Sequence, residues 1–439
     1  MAHDHHTDAL LSFLADSPTS FHATANLTAM LQEAGFVELV ESDPWTDLKP
    51  GSYFIRRNQS SLLALVLTGE DPVRTGFRMV GCHTDSPGLK LKPGALHTGH
   101  GFVQLGVEVY GGPLLATWFD RDLSLAGRVV WQDSDGCLHT SLVNFERPVA
   151  MIPSLAIHLD REANKNKTIN RQNDLVPVLM LEKESPTPLR EILAAQLARQ
   201  YPGSKPATVL DFDLFLVDCQ PPAKIGLEEE FIVSARLDNL LSCHSAVRAL
   251  VDTVPECNTM VILHDHEEVG SMTLAGAQGS FLSSILERIL PGPGQRQAAL
   301  KRSFFISSDN AHGVHPNFAD KHDPHHLPRI NRGPVLKSNA AQRYATDAVS
   351  AAFFRALCGM TDVPVQEFVM RSDMACGSTI GPLTSAALGV ATVDVGVAQL
   401  AMHSIRELAG ERDVWYLYQV MCSFLTLSTR NNLWRSLAA

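Results

Sequence analysis

The sequence predicts an α/β protein, a mainly parallel sheet flanked by helices, with a β-rich domain inserted into it. Three observations carry this. Past residue 240 the segments alternate as helix 241–250, strand Met260–Leu263, helix Phe281–Leu290, strand Phe304–Ser307, helix Thr346–Cys358 and strand Val390–Val395, the order of a sheet with helical crossovers. Between about residues 92 and 229 the texture changes to glycine-rich alternating runs such as Phe102 to Gly112 and Gly127 to Trp131, which suit antiparallel strands with tight turns. And several short apolar runs stop abruptly at a histidine or a carboxylate, as strands do when they deliver side chains to a cleft.

Taken in order, residues 2–6 (Ala-His-Asp-His-His) read as a frayed terminus or the remnant of a tag, in preference to an adventitious metal site. Ser20 is a plausible N-cap for a helix carrying Leu27, Met30 and Leu31 that stops at Gly35. Phe54–Arg57 and Leu62–Leu67 form a strand pair leading into the strand Arg78–Cys82. The inserted domain is interrupted by the polar stretch Arg161–Asp174 and the helical Leu189–Gln200. Its entry and exit split the main domain, giving residues 1–91 and 230–439 as the two parts and 92–229 as the insert. Pro291 to Gly294 is a loop, and Val414–Leu427 is an apolar helix too short for the roughly 20 residues that cross a bilayer.

Composition narrows the function. The chain has 439 residues, 45% apolar and 19% charged, with a net charge of −11. Those values suit a globular protein of two or three domains. No basic surplus exists to neutralise phosphates, so nucleic-acid binding is disfavoured, and no membrane association is indicated. The eight scattered cysteines make no C-x-x-C pair and read as reduced thiols of a cytoplasmic protein. No basic and then apolar leader opens the sequence.

The run Met260 to Leu263 breaks into His264-Asp265-His266-Glu267-Glu268-Val269-Gly270. An adjacent Glu-Glu is ordinarily two solvated side chains; here the pair follows a buried strand. His83 ends the Arg78–Cys82 strand, Asp309 follows Phe304–Ser308, His403 follows Val390–Gly396 after a short link, and Asp238 stands before the helix 241–250, where Asp or Asn can act as an N-cap. Two histidines (His83, His403) and three carboxylates (Asp238, Glu268, Asp309) form a mixed N/O set suited to Zn²⁺, with Mn²⁺ or Co²⁺ as alternatives. Five ligands exceed what one catalytic zinc uses and suit two ions if one carboxylate bridges. Such a pair lowers the pKa of a water toward about 7, giving a hydroxide nucleophile. Glu267 is then free to act as general base and acid. Asp85, two residues past His83, can accept its free ring N–H, though a plain solvated loop aspartate is the competing reading.

Gly81-Cys82-His83-Thr84-Asp85-Ser86-Pro87-Gly88, Arg236-Leu237-Asp238-Asn239, Asp265 to Ser271, Ser308 to His312 and Ala401 to Glu407 together resemble the motif set of aspartyl aminopeptidases, dinuclear zinc exopeptidases. The resemblance runs over nearly the whole chain. It implies a zinc-peptidase-like catalytic domain, an inserted dimerisation domain and a tetrahedral dodecamer built from dimers. By position it implies that His83 and Asp309 hold one zinc, Glu268 and His403 the other, that Asp238 bridges them, and that Glu267 is the base. It assigns Lys337 to the acidic side chain of the substrate's first residue, Asp or Glu. It also assigns His158, reaching from a neighbouring subunit, to the developing oxyanion. Read alone, Lys337 is a solvated loop lysine and His158 a hydrogen-bonded core histidine.

His312, His315, His322, His325 and His326 either line the cleft or decorate a polar loop. Two further readings compete: a metal-dependent amidohydrolase of other specificity, because metal chemistry does not choose which end of a peptide is cut, and a metal-stabilised assembly protein. The free Glu267 argues against the latter. No H-E-x-x-H helix, G-x-S-x-G elbow or Walker A loop occurs.

Overall fold

The computed structural model describes residues 2–45, 48–185, 187–204 and 206–438. Among these, a nine-stranded sheet runs in the order Val37–Glu38, Gly51–Arg57, Ser61–Leu67, Thr259–His264, Arg78–His83, Phe304–Ser308, Ala391–Gly396, Val335–Ser338 and Gln366–Val369. From Thr259–His264 to Ala391–Gly396 the four central strands are mutually parallel, with an antiparallel neighbour on either side. This is the predicted α/β class.

Every residue of Arg78–His83, Thr259–His264 and Phe304–Ser308 is buried, because helices cover both faces of the sheet, and such strands lose the polar alternation of half-exposed ones. Val80, Cys82, Val261, Leu263, Phe304 and Ile306 pack with the helices Leu237–Asp252, Ala348–Met360 and Glu411–Leu425 and with the first two helices of the chain. Met79, Met260, Ile262 and Phe305 pack on the opposite face with Phe281–Ile289 and Ile380–Leu388.

Register then decides where function can sit. His264 lies beside His83, Ser307 beside Gly81, and Ser308 beside Val395. The parallel strands therefore stop at nearly one level, and the residues after them emerge together at the carboxyl end of the sheet.

A second sheet of six antiparallel strands runs Leu138–Asn144, Leu123–Gln132, Thr208–Asp218, Gly88–Gly99, Phe102–Tyr110 and Val178–Leu181, with the helix Leu189–Gln200 against it. The expected division at 91/92 falls inside the strand Gly88–Gly99. The one at 229/230 falls in the turn of a hairpin joining Ala223–Ile225 to Phe231–Ser234. That hairpin belongs to a third, five-stranded sheet with Glu407–Gly410, Ala398–Leu400 and Ala311–His312, whose strands are too short to leave a periodicity in the sequence.

Three local expectations are corrected. Residues 2–6 are no frayed end: they open the helix Ala2–Asp16, in which His6 is buried with its ring 4.3 Å from Tyr418 and 5.5 Å from His244. Thr7 Oγ1 donates to Glu411 Oε1 at 2.8 Å, fastening that helix to Glu411–Leu425. Pro293 does not lie in a loop but starts the helix Pro293–Lys301, since its fixed φ suits the first helical position. Asp238 does not cap its helix with its side chain; it and Asn239 depart from helical geometry at the helix start, which leaves the carboxylate free to face the sheet end. No helix among the described residues is long and apolar enough to cross a membrane.

Candidate metal centre

Four strand ends and one helix start converge here. His83 Nε2 lies 3.4 Å from Asp238 Oδ1 and 3.5 Å from Asp309 Oδ1. His403 Nε2 lies 3.4 Å from Asp238 Oδ2 and 3.4 Å from Glu268 Oε1. Asp238 thus turns one oxygen to each histidine, with Asp309 completing one group and Glu268 the other. His83, Asp238 and Glu268 offer ligand atoms within 4.8 Å of one another.

The electrostatics describe a site short of positive charge. Burial acts against His83 carrying a proton, yet Asp238, Asp309 and Asp85 around it raise its pKa well above the ordinary value. Burial pushes Asp238 up, but His403 and His83 together hold it well below the usual carboxylate range. Burial raises Glu268, and the Asp238 charge adds to it. Glu267 is pushed up to about 7, first by burial, with Asp309, Asp85 and Asp238 overcoming the opposing pull of His83. Asp238 Oδ1 is buried without a hydrogen-bond partner.

Divalent cations fit this arrangement. Two ligand atoms at a tetrahedral angle on one zinc, each about 2.1 Å from it, stand about 3.4 Å apart, which is the spacing between each imidazole nitrogen and its carboxylate oxygens. A shared carboxylate between two histidines and two further carboxylates matches a hard N/O donor set.

Around the five residues lies a layer of anchoring contacts. His83 Nδ1 is 3.0 Å from the main-chain carbonyl of Asp85 and 3.5 Å from its Oδ1. The partner at hydrogen-bond distance is therefore the Asp85 backbone rather than its carboxylate. That carboxylate is occupied elsewhere: Oδ1 accepts from Glu267 N at 3.0 Å, and Oδ2 from Glu268 N at 3.1 Å and from the Tyr110 hydroxyl at 2.7 Å. Burial and the Asp85 charge push the Tyr110 phenol far above its ordinary range, so it keeps its proton and donates. Glu407 is a second buried clamp, accepting from His403 N at 2.7 Å and Asp238 N at 2.9 Å. Neither Tyr110 nor Glu407 stands out in the sequence. Glu407 ends the motif Ala401 to Glu407, which could have flagged it; Tyr110 carries no signal, since its partner Asp85 lies in a loop 25 residues earlier in the chain.

Lys337 is buried in the strand Val335–Ser338, its Nζ 3.5 Å from Asp309 Oδ2, 3.2 Å from the Asn310 carbonyl and 5.3 Å from the Tyr344 ring centre. Beside the centre, His312, Gly313, His315, Leu400, Met402 and His403 line a recess of about 240 Å³. His312 and His315 thus border the cleft. His322 packs edge-on to Phe368, His326 bonds to Asp323 at 2.7 Å, and His325 is exposed. His158 lies apart, in an exposed turn of the six-stranded unit.

Comparison with known proteins bears on this geometry. Residues 13–425 match the family model described as aminopeptidase I zinc metalloprotease (M18). The "Probable M18 family aminopeptidase 2" of Stutzerimonas stutzeri (strain A1501) is 52% identical over 423 residues, 96% of this chain and 98% of its own. Its namesake in Pseudomonas aeruginosa (strain UCBPP-PA14) is 51% identical over 420 residues, 95% and 97% of the two chains. Among solved structures, a chain in the cryo-EM structure of the Ape4 and Nbr1 complex superposes with a TM-score of 0.95 at 36% identity, covering 99% of this chain and 88% of that one. The S. cerevesiae mApe1 dodecamer gives a TM-score of 0.85 at 28% identity, covering 98% and 97%. With histidines and carboxylates gathered at the sheet end and likeness along almost its whole length, this chain belongs to the M18 family of zinc metallo-aminopeptidases.

Proposed function

We propose that this aminopeptidase is dinuclear and removes acidic N-terminal residues, Asp and then Glu, from peptides. The observation that carries the acidic preference is Lys337, an ammonium buried at the wall of the centre whose anionic neighbour is Asp309. With a cation sharing the Asp309 charge, Lys337 retains the capacity to pair with a substrate carboxylate. Such a pair, partly removed from water, is worth several times a surface pair.

His83 and Asp309 would hold one zinc, Glu268 and His403 the other, and Asp238 would join them. Divalent ions there supply Lewis acidity and bring the pKa of a water down toward neutrality. Glu267, which is not needed as a ligand, takes a proton from the attacking water on its carboxylate and returns it to the leaving amine nitrogen. Asp85 holds Glu267 and Glu268 in place through their main-chain N–H groups. We extend to this chain the dodecameric assembly of mApe1, with residues 92–229 as the dimerisation unit. Leu155, Ile157 and Leu159 are exposed around His158, which suits burial against a neighbouring subunit and would bring His158 to that subunit's reacting carbonyl. The eight free cysteines suit the reducing cytoplasm.

The test is chelation followed by zinc rescue, assayed on aspartyl and leucyl substrates. Rescue should restore aspartyl turnover to at least about tenfold above leucyl, a difference of about 1.4 kcal/mol. Lys337→Met should cut aspartyl kcat/KM on the order of 100-fold, about 2.7 kcal/mol, while leaving leucyl turnover within a few-fold. Equal or greater leucyl turnover by the wild type removes the acidic preference.

A further inference from the structure

We propose that Tyr110, contributed by the six-stranded sheet, is a positioning residue for Glu267 and Glu268, acting through Asp85. This rests on the proposed roles of those two glutamates.

Glu267–Val269 is a single 3-10 turn with no side-chain cap of its own. The backbone N–H groups that open it, of Glu267 and Glu268, are met by the two oxygens of Asp85, which caps the turn from a distant loop. How well Asp85 does this depends on its own orientation. Its Oδ2 takes the Tyr110 hydroxyl at 2.7 Å, the shortest of its three contacts and a link to the other sheet. The phenol ring is in turn held edge-on by Phe215, 5.7 Å away on the strand Thr208–Asp218 of the same sheet.

The residues immediately after Tyr110 press on the same centre. Gly111 has φ +67°, and a Cβ there would meet Glu268 Cβ at 3.2 Å and Glu268 O at 3.3 Å. Gly112 O lies 3.1 Å from His403 Nδ1, and Leu114 N donates to His403 O at 2.8 Å. One strand end thereby sets the rotation of His403 and the main-chain position of Glu268 and Glu267. The six-stranded unit supplies part of the centre's scaffold, and a shift of that unit reaches the proposed base directly.

Tyr110→Phe removes the hydroxyl and keeps the ring, and two readouts test it on the full chain. With zinc bound, kcat should fall about 10- to 100-fold with KM within twofold, the range seen when an outer partner of a metal ligand is lost. Zinc titration of chelator-treated protein against a competing chelator should show one site weakened about tenfold and the other unchanged. In a background of Asp85→Asn, adding Y110F should cost less than about twofold more, because the effect passes through Asp85. Phe215→Leu loosens the ring and should give a smaller loss of both readouts. The proposal is overturned if Y110F leaves both kcat and zinc affinity within about twofold of wild type, if its cost multiplies fully with that of D85N, or if F215L alone causes the losses. Absence of aminopeptidase turnover in the wild type would strike the catalytic reading, while the zinc titration still decides whether Tyr110 orders the centre.

Discussion

Gly396 closes the strand Ala391–Gly396, and a methyl group there would have nowhere to go. Its Cβ would stand 1.8 Å from the Asp309 carbonyl oxygen and 2.7 Å from the Asp309 carbonyl carbon. A carbon beside a carbonyl oxygen needs about 3.3 Å, so Gly396→Ala must drive the Asp309 main chain back by about 1.5 Å. Asp309 N gives its hydrogen to Val395 O at 2.9 Å, and its carboxylate lies 3.5 Å from both His83 and Lys337; a displacement of that size breaks all three relations. Misplacement by about 1 Å in a working centre costs on the order of 100-fold. The expected result is a folded protein that keeps one zinc after equilibrium dialysis, with kcat/KM reduced at least about 100-fold. Gly359→Ala is the control, since a Cβ there meets nothing within 4 Å. Retention of two zinc ions by G396A with turnover within about threefold of wild type would falsify the steric argument.

Three further outcomes are expected. Glu267→Gln removes the proposed proton carrier and should lower kcat by about 10²- to 10⁴-fold with zinc retained; a rate near wild type reassigns the role. Glu407→Gln leaves one of two buried N–H donors, Asp238 N or His403 N, facing an amide NH₂, a loss of about 1–3 kcal/mol that a chelator competition should register as weaker zinc binding; unchanged affinity refutes the clamp. Burial pushes His6 down to about 4 and His244 to about 3, so both are neutral in the fold and charged below about 6.5 when unfolded. Their stabilisation is complete above that pH and is lost as pH falls toward the folded values, on the order of 3 kcal/mol for His6 and about 5 kcal/mol for His244. Metal-free protein should lose more denaturant resistance between about pH 7 and pH 5 than its His244→Phe variant, and equal losses count against it.

How much of this is legible in the sequence depends on how local the information is. The strands Arg78–His83, Thr259–His264 and Phe304–Ser308 are legible because burial on both faces forces unbroken apolar runs, and each ends at a polar side chain with few structural reasons to be there. That Asp238 and His403 meet requires register and the five-stranded sheet, neither of which has a local signature. The helix Ala2–Asp16 is misread because histidines imitate a polar tail; His6 is apolar in effect, a neutral ring packed among Tyr418, Trp415 and His244. The residues Asp85 and Glu407 lie within motifs, but which main-chain N–H groups they hold escapes sequence reading, since a backbone N–H is present at almost every position.

The proposed ligands come from four strand ends and one helix start spread between residues 83 and 403, and a ribosome makes them in that order. His83 emerges while Asp238, Glu268, Asp309 and His403 are still unwritten, so a nascent chain presents lone donors and no closed pocket. The full five-residue set therefore exists only once residue 403 has been made. A chain cut short before residue 403 has lost the second imidazole even if the rest of its sheet is intact.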